Sequence, residues 1–262
     1  MKFLFSSSRL YIKDPSSWIS NIDTAGFDGL EISMDAWFHD ISDLKNKYPA
    51  IIKLLKDKNL DISVHLPFSG LNIASLNSKI RETTISQLTS CIQASSEITD
   101  SVVIHPGYIE PNCNYNQYLS ESWSAQISAL TILADISDQI GLSLLLENMP
   151  NIDDVVYCRD PQEHIEICKL VPKLGMTFDI GHANINGYLD SFIKLVLPNT
   201  LHIHIHDNFG KYDEHLPIGA GNIDWNTVMP RIREKYKGKY IVVEGRNISE
   251  GTISLNKLKE WF

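Results

Sequence analysis

Histidines and acids are the side chains most able to do chemistry in this sequence, and they are densest in the segment LHIHIHDN, residues 201–208. His202, His204 and His206 occupy alternate positions, which share one face of a β-strand. The apolar residues between them share the other face, and Asp207 follows the last histidine. Imidazole nitrogens and carboxylate oxygens are ligands for zinc, manganese and iron. The pattern therefore predicts a strand that carries imidazoles toward a metal.

Most other short apolar runs of the chain also end in a histidine or an acid. The run endings, with the segments that contain them, are His65 in SVHLPF, His105 in VVIHPG, Glu147 in LLLENMP, Asp179 and His182 in TFDIGHAN, and Glu244 in IVVEGR. The loop DEHLPIGAGNIDW adds Asp213 and His215. Buried acids and histidines are costly unless they are paired or metal-bound, so this set predicts a metal site.

Eight short β-branched runs alternate with longer segments that have helical periodicity or helix-start signals. The predicted strands are residues 2–6, 29–33, 61–66, 101–105, 142–148, 174–179, 200–206 and 240–244. The predicted helices lie in residues 14–26, 78–98, 116–141, 159–171, 186–196, 224–236 and 254–261. Strands that alternate with helices favour a parallel sheet with right-handed crossovers.

The count of eight units in 262 residues predicts one (β/α)8 TIM barrel, an α/β fold, as a single domain over residues 1–262. The alternative, a doubly wound open sheet, usually has a glycine-rich phosphate loop after its first strand, and FSSSRL has none. In a TIM barrel the carboxyl ends of the strands meet at one face, which carries the active site. All the histidines and acids named at run endings are thus expected at that face.

Bulk composition limits the classes of partner. The net charge is −9 and no block of lysine and arginine stands out, so the sequence has no overall footprint for nucleic acid. Four cysteines without CxxC spacing predict reduced thiols and a cytoplasmic protein. The apolar run in MKFLFSSS is too short for a signal peptide, no stretch reaches transmembrane length, and no protein partner is inferred.

Some of these residues also have a purely structural interpretation. A strand histidine such as His202 is more often a hydrogen-bonded core residue than a ligand. His39 and His164 are expected on helix or loop surfaces in structural or solvated roles. Glu31 in GLEIS can simply accept backbone hydrogen bonds.

Taken in order, these motifs resemble those of the xylose isomerase-like TIM barrels, over nearly the whole chain. The segments that carry the resemblance are VHLPFSGLNIASLNSKIRETTI, VVIHPG, LLLEN, DIGHAN, HIHDN, DEHLPIGAGNIDW and VVEG. That superfamily includes sugar isomerases and epimerases, and apurinic/apyrimidinic endonucleases of the endonuclease IV type. The resemblance implies a divalent-metal enzyme from one of these two branches.

The two branches imply different ligand sets. The isomerase branch implies one divalent metal on Glu147, Asp179, His204 and Glu244. The endonuclease branch implies three zinc ions, with Glu147 bridging the first two, on the groups His65, His105 and Glu147; Glu147, Asp179, His204 and Glu244; and His182, Asp213 and His215. The HxxD spacing from His204 to Asp207 matches the family's seventh-strand motif, so His204 rather than His206 is the expected ligand.

Because all nine ligands are present, the first expectation is a zinc-dependent phosphoesterase of the endonuclease IV type. It would hold two or three zinc ions, with manganese as the other candidate metal. Its substrate would be abasic DNA or a small phosphate. The alternative is a sugar or sugar-phosphate isomerase or epimerase, in which Glu147 and Glu244 move a proton. A metal-binding barrel without catalysis is the third hypothesis.

Two features favour the alternative. The acidic balance argues against a large DNA interface, and SSSRLYIKDPSSW and GFDGLEIS resemble the sugar enzymes. Arg9, Tyr11 and Phe68 are the candidates for side chains that would hold a flipped abasic site.

Overall fold

Eight parallel strands close into one barrel in the order β1 to β8, as the sequence predicts. The computed structural model describes residues 1–6, 15–37, 41–109, 116–151 and 156–262. The strands are β1 Lys2–Ser6, β2 Gly29–Ser33, β3 Asp61–His65, β4 Ser101–Ile104, β5 Ser143–Glu147, β6 Leu174–Asp179, β7 His202–Ile205 and β8 Tyr240–Glu244. Each predicted strand is present, and β1 pairs with β8 to complete the ring.

Helices separate the strands. They are α1 Pro15–Ala25, α2 Met34–Trp37, α3 Ile41–Asp57, α4 Ser78–Ser95, α5 Asn116–Gln139, α6 Pro161–Leu170, α7 Ile180–Ile185, α8 Leu189–Leu195, α9 Trp225–Lys235 and α10 Ile248–Trp261. A 3-10 turn, Leu197–Asn199, precedes β7. The helix α3 was not predicted, and α10 begins six residues before the predicted start at 254.

Strand β7 has the two faces that its sequence predicts. Ile203 and Ile205 are fully buried in the main apolar cluster, which the strands share with the surrounding helices. His202 and His204 take the alternate positions and are also fully buried, facing the barrel interior. Leu201 precedes the strand and is 48% exposed, so the predicted apolar row is one residue shorter than expected.

The barrel interior is built in layers along the strands. Leu4 on β1 packs with Tyr240 and Val242 on β8 in a small apolar cluster separate from the outer one. Polar residues follow, with Glu31 on β2 and His202 on β7 both fully buried. Residues at the strand ends form the next layer, and they build the site described below.

Two further features bear on the sequence expectations. Among the described helices none is long and apolar enough to cross a membrane. Cys91, Cys158 and Cys168 are free thiols, as predicted, while Cys113 lies outside the described residues.

Candidate active site

One pocket of about 420 Å³ opens at the carboxyl ends of the strands. Its wall contains His65 on β3 and Glu244 on β8, so residues from distant strands meet at one face, as the barrel prediction requires. The other lining residues are Ser33, Phe68, Leu71, His105, Pro106, Tyr108, Glu147, Met149, Pro150, Val156, His182, Asp213 and His215.

Glu147, at the end of β5, is the centre of the site. Its Oε2 lies 3.1 Å from Nε2 of His65 and 3.2 Å from Nε2 of His105. Its Oε1 lies 3.0 Å from Nδ1 of His204 and 3.5 Å from Nδ1 of His182. The two oxygens of one carboxylate thus face different sets of imidazoles, which is the arrangement a bridging ligand needs.

A second group surrounds His204. Ligand atoms of Glu147, Asp179 and His204 all lie within 4.8 Å of one another. Glu244 Oε1 adds a fourth donor 3.6 Å from Nδ1 of His204. In this part of the described structure, the buried Oδ2 of Asp179 has no hydrogen-bond partner. A buried carboxylate oxygen without a hydrogen-bond partner, on a residue grouped with nitrogen and oxygen donors, fits a divalent cation, so these four residues could hold one.

The local backbone fixes Asp179 and His182 together. Asn148, which follows Glu147, accepts a hydrogen bond from the backbone N–H of Asp179 and donates one to its carbonyl. Oδ1 of Asp179 caps α7 by accepting from the backbone N–H of His182, at 2.6 Å. The Nδ1 of His182 lies 2.8 Å from the carbonyl of Asn148, which leaves Nε2 directed at Asp213, 3.6 Å away.

A third group forms where the loop after β7 folds back over the barrel. Asp207 and Leu216 exchange backbone hydrogen bonds, which close the loop that carries Asp213 and His215. His215 adopts a left-handed backbone with φ 50°, and its Nε2 lies 2.9 Å from Asp213 Oδ2. Non-glycine residues in that region carry strain and cluster at functional sites.

His206 lies beside this third group, although the sequence favours His204 as the ligand. Its Nε2 is 3.4 Å from Asp179 Oδ1 and 3.4 Å from Asp213 Oδ1. Its ring stacks on that of His215 at 4.3 Å with an interplanar angle of 2°. Its ligand atoms also come within 4.8 Å of those of His182. His206 is therefore close enough to serve as a donor, and the preference for His204 stays a prediction.

The environment displaces the pKa values of two carboxylates in opposite directions. Burial acts to raise the pKa of Glu147, but the charge of His204 and hydrogen bonds from nearby imidazoles hold it well below its usual value. Burial raises the pKa of Glu244 above its usual value, against the opposing charges of His204 and His215.

Asp207 explains the HxxD motif in structural terms. Its carboxylate accepts from the backbone N–H of Gly219 and from the indole N–H of Trp225, both at 2.8 Å, and from the backbone N–H of Asn208. A buried acid with this many donors is an anchor for the loop rather than a ligand. Gly181 makes room for the neighbouring imidazole, because a Cβ there would overlap the His206 ring.

His164 and Glu31 have surroundings that differ from those expected from the sequence. His164 is fully buried in α6 and hydrogen-bonds the carbonyl of Leu146, so its predicted surface position is wrong and its predicted structural role holds. Glu31 contacts side chains, His202 and Ser63, rather than backbone groups alone. His39, Arg9 and Tyr11 lie outside the described residues.

A family model described as a xylose isomerase-like TIM barrel matches residues 19–261. The chain belongs to this family. It is 35% identical to the uncharacterized protein MJ1311 of Methanocaldococcus jannaschii, over all of this chain and 89% of that protein. The resemblance predicted from the motifs is confirmed.

Solved structures with the same fold include sugar epimerases. A crystal structure of a D-tagatose 3-epimerase-like protein is 34% identical, with a TM-score of 0.88, and the alignment covers 100% of this chain and 97% of that one. D-psicose 3-epimerase from Clostridium cellulolyticum H10, solved with D-tagatose, is 16% identical with a TM-score of 0.80, covering 100% and 99% of the two chains. The second likeness extends to the fold alone.

Proposed function

We propose that this protein is a divalent-metal-dependent sugar or sugar-phosphate epimerase or isomerase. The observation that carries the proposal is the close approach of Glu147, Asp179, His204 and Glu244 to one another, with Glu147 and Glu244 in the pocket wall, in a chain 34% identical to a D-tagatose 3-epimerase-like protein. This reverses the order expected from the sequence, in which the phosphoesterase came first.

The four residues would hold one Mn²⁺ or Zn²⁺, whose role is to polarise the carbonyl and neighbouring hydroxyl of a bound ketose. Glu147 and Glu244 both approach Nδ1 of His204, at 3.0 and 3.6 Å, so both carboxylates reach the same small volume. One of them takes the proton from the carbon beside the carbonyl. The other returns a proton to the opposite face of that carbon, which inverts it without net change in composition.

The pocket supports a small substrate. A volume of about 420 Å³ lies at the lower end of the range for small-molecule sites. Phe68 stacks on His105 with ring centroids 4.3 Å apart, and Leu71, Met149 and Val156 extend the apolar wall. An apolar wall facing a polar, charged floor suits a sugar, which has apolar C–H faces and hydroxyl edges.

A phosphoesterase is the second candidate, and His182, Asp213 and His215 are the observation that favours it. His182 and His215 both approach Asp213, at 3.6 and 2.9 Å, and Glu147 faces the further pair His65 and His105. Two or three cations on such groups would stabilise the charge of a phosphoryl transition state.

Substrate assays with the metal-loaded protein distinguish the two candidates. The protein, loaded with Mn²⁺ or Zn²⁺, is given a panel of ketoses and sugar phosphates in D₂O, and separately an abasic-site duplex and small phosphodiesters. We expect interconversion of epimers with deuterium entering at the carbon beside the carbonyl. Phosphoester cleavage without sugar turnover would contradict the proposal and support the second candidate.

A double change of Asp213 and His215 to Ala provides the matched test. In an epimerase the four-ligand site survives, and turnover falls mainly through weaker substrate binding, seen as a raised KM. In a phosphoesterase the loss of leaving-group stabilisation lowers kcat by about 10²–10³. Asp100→Asn is the control, because Asp100 pairs with Lys239 outside the pocket.

A further inference from the structure

Glu31, on β2, is a fully buried carboxylate beneath the four-ligand group. Its Oε2 accepts from the hydroxyl of Ser63 at 2.7 Å and lies 2.9 Å from Nε2 of His202. Its Oε1 lies 3.0 Å from Nε2 of His204. Glu31 thus touches the far side of the imidazole whose Nδ1 faces Glu147 and Glu244.

We propose that Glu31 is a positioning residue that holds His204 in the tautomer and orientation needed to bind the metal through Nδ1. A neutral imidazole has one N–H and one lone pair. Nε2 lies 3.0 Å from Oε1 of Glu31, and when the N–H sits on Nε2 the lone pair sits on Nδ1, which lies 3.0 Å from Glu147 Oε1. Metal-binding histidines commonly donate their other N–H to a carboxylate in this way.

Ser63 and His202 hold Glu31 in turn. Both contact Oε2, which leaves Oε1 for His204. His202 packs edge-on against His204, with ring centroids 5.2 Å apart, and against Tyr240 at 6.0 Å. The alternating histidines of β7 therefore have separate tasks, since His202 fixes Glu31 and His204 faces the metal group.

The same three residues could in principle form a metal group of their own, because ligand atoms of Glu31, His202 and His204 lie within 4.8 Å of one another. Glu31 Oε2 is already engaged by Ser63 and His202, however, and all three residues lie below the pocket wall without reaching it. The positioning role accounts for both oxygens and for the burial.

The inference rests on the proposed ligand set, and Glu31→Gln tests it because glutamine keeps the size and removes the charge. Binding of Mn²⁺ alone is measured by calorimetry, with metal content counted after dialysis. We expect a Mn²⁺ dissociation constant about 10–100 times that of the unaltered protein. Glu163→Gln in α6, whose carboxylate accepts from the backbone N–H of Arg159, should stay near the unaltered value.

A double-mutant cycle with His204→Gln supplies a readout that a general structural defect would not move. Once His204 is gone, Glu31→Gln should weaken Mn²⁺ binding little further, because the two residues act through one contact. Fully additive losses would overturn the proposal. An unchanged Mn²⁺ dissociation constant in Glu31→Gln would also overturn it. The same holds if Glu31→Gln loses one Mn²⁺ ion while another stays bound at unaltered affinity, because Glu31 would then be a ligand itself.

If Glu31→Gln does not fold, Glu31→Asp replaces it, because aspartate keeps the charge but withdraws it from His204. Wild-type Mn²⁺ affinity in Glu31→Asp would overturn the positioning role.

The Mn²⁺ measurement uses no sugar, so it tests the positioning role separately from the proposed epimerase function. If the unaltered protein turns over no sugar but Glu31→Gln binds Mn²⁺ more weakly, the proposed function is refuted and the positioning role is supported. If the unaltered protein turns over sugar but Glu31→Gln binds Mn²⁺ normally, the function is supported and the positioning role is refuted.

Discussion

At the scale of single residues, the site depends on the two oxygens of Glu147. Oε2 serves His65 and His105, while Oε1 serves His204. A carboxylate shared in this way couples the groups on either side, because anything that moves Glu147 changes both. A substitution at Glu147 is therefore expected to lower metal affinity more than a substitution of any single histidine.

His204 and His206 separate the ligand from its neighbour. His204→Ala should lower metal content and activity together, because its Nδ1 faces Glu147 and Glu244. His206→Ala should retain the ion on the four-ligand group, since His206 is not one of the four, although its Nε2 lies 3.4 Å from Oδ1 of both Asp179 and Asp213. Metal counting on both dialysed variants checks this. Loss of metal in His206→Ala alone would mean that the ligand register on β7 is displaced by one pleat.

Glutamine substitutions at Glu147 and Glu244 test the proton transfer. Each removes one acid–base group, so each should lower kcat for epimerisation by about 10²–10⁴. Glu244→Gln should still exchange deuterium into one epimer without inverting it, because the remaining carboxylate can remove and return a proton on its own face. NMR of the sugar in D₂O separates exchange from inversion. Full epimerisation in either variant would exclude that residue from the proton transfer.

At the scale of elements, the sequence predicts the strands well and the helices less completely. Alternating and β-branched runs identified all eight strands to within about two residues at each end. Helix α3 was not predicted from the sequence because Pro49 lies inside it, and an internal proline is a helix-breaking signal. The partners of Glu31 could not be predicted, because Glu31 and His202 are 171 positions apart and meet only when the barrel closes.

Helix α6 carries an acid-sensitive histidine. Burial lowers the pKa of His164 from 6.5 to about 4, although the hydrogen bond to the Leu146 carbonyl opposes the shift. The unfolded chain therefore binds the proton first, and stability is lost as the pH falls from about 6.5 to about 4. The full loss amounts to about 3 kcal/mol. His164→Gln should remove this part of the pH dependence, measured by urea unfolding at pH 7 and pH 4. An equal change in the free energy of unfolding between the two pH values in both proteins would contradict this prediction.

Gly181, at the start of α7, lies directly against the ring of His206, the residue that follows β7. An added Cβ would overlap the His206 ring, so Gly181→Ala must displace one of the two elements. We expect the free energy of unfolding to fall by about 1–3 kcal/mol. The double variant Gly181→Ala with His206→Asn should recover much of that loss, because the smaller side chain leaves room. Denaturant unfolding of Gly181→Ala, His206→Asn and the double variant measures both effects.

At the scale of the whole molecule, the barrel gathers acids and histidines from most of its strands into one partly enclosed face. The net charge is −9, which favours cations and disfavours a polyanion such as DNA. The nine predicted ligands alone favoured a nuclease, because they say nothing of the charge on the rest of the molecule, which opposes DNA binding. The ligand pattern indicates which metals can bind, whereas the pocket and the likeness to a D-tagatose 3-epimerase-like protein support the proposed small substrate.

Because the ligand groups form only when the eight strands close, a metal that binds them should stabilise the entire barrel. Ligand that binds only the folded state adds about 4 kcal/mol at 1,000 times its dissociation constant. We therefore expect the melting temperature to rise when dialysed protein receives Mn²⁺ and to fall again with a chelator. The combined change Asp179→Asn and His204→Gln should abolish most of this shift, while Asp100→Asn, which alters an exposed ion pair with Lys239, should keep it. An identical melting temperature with and without Mn²⁺ would show that the folded chain holds no such ion, and the epimerase proposal would lose its chemical basis.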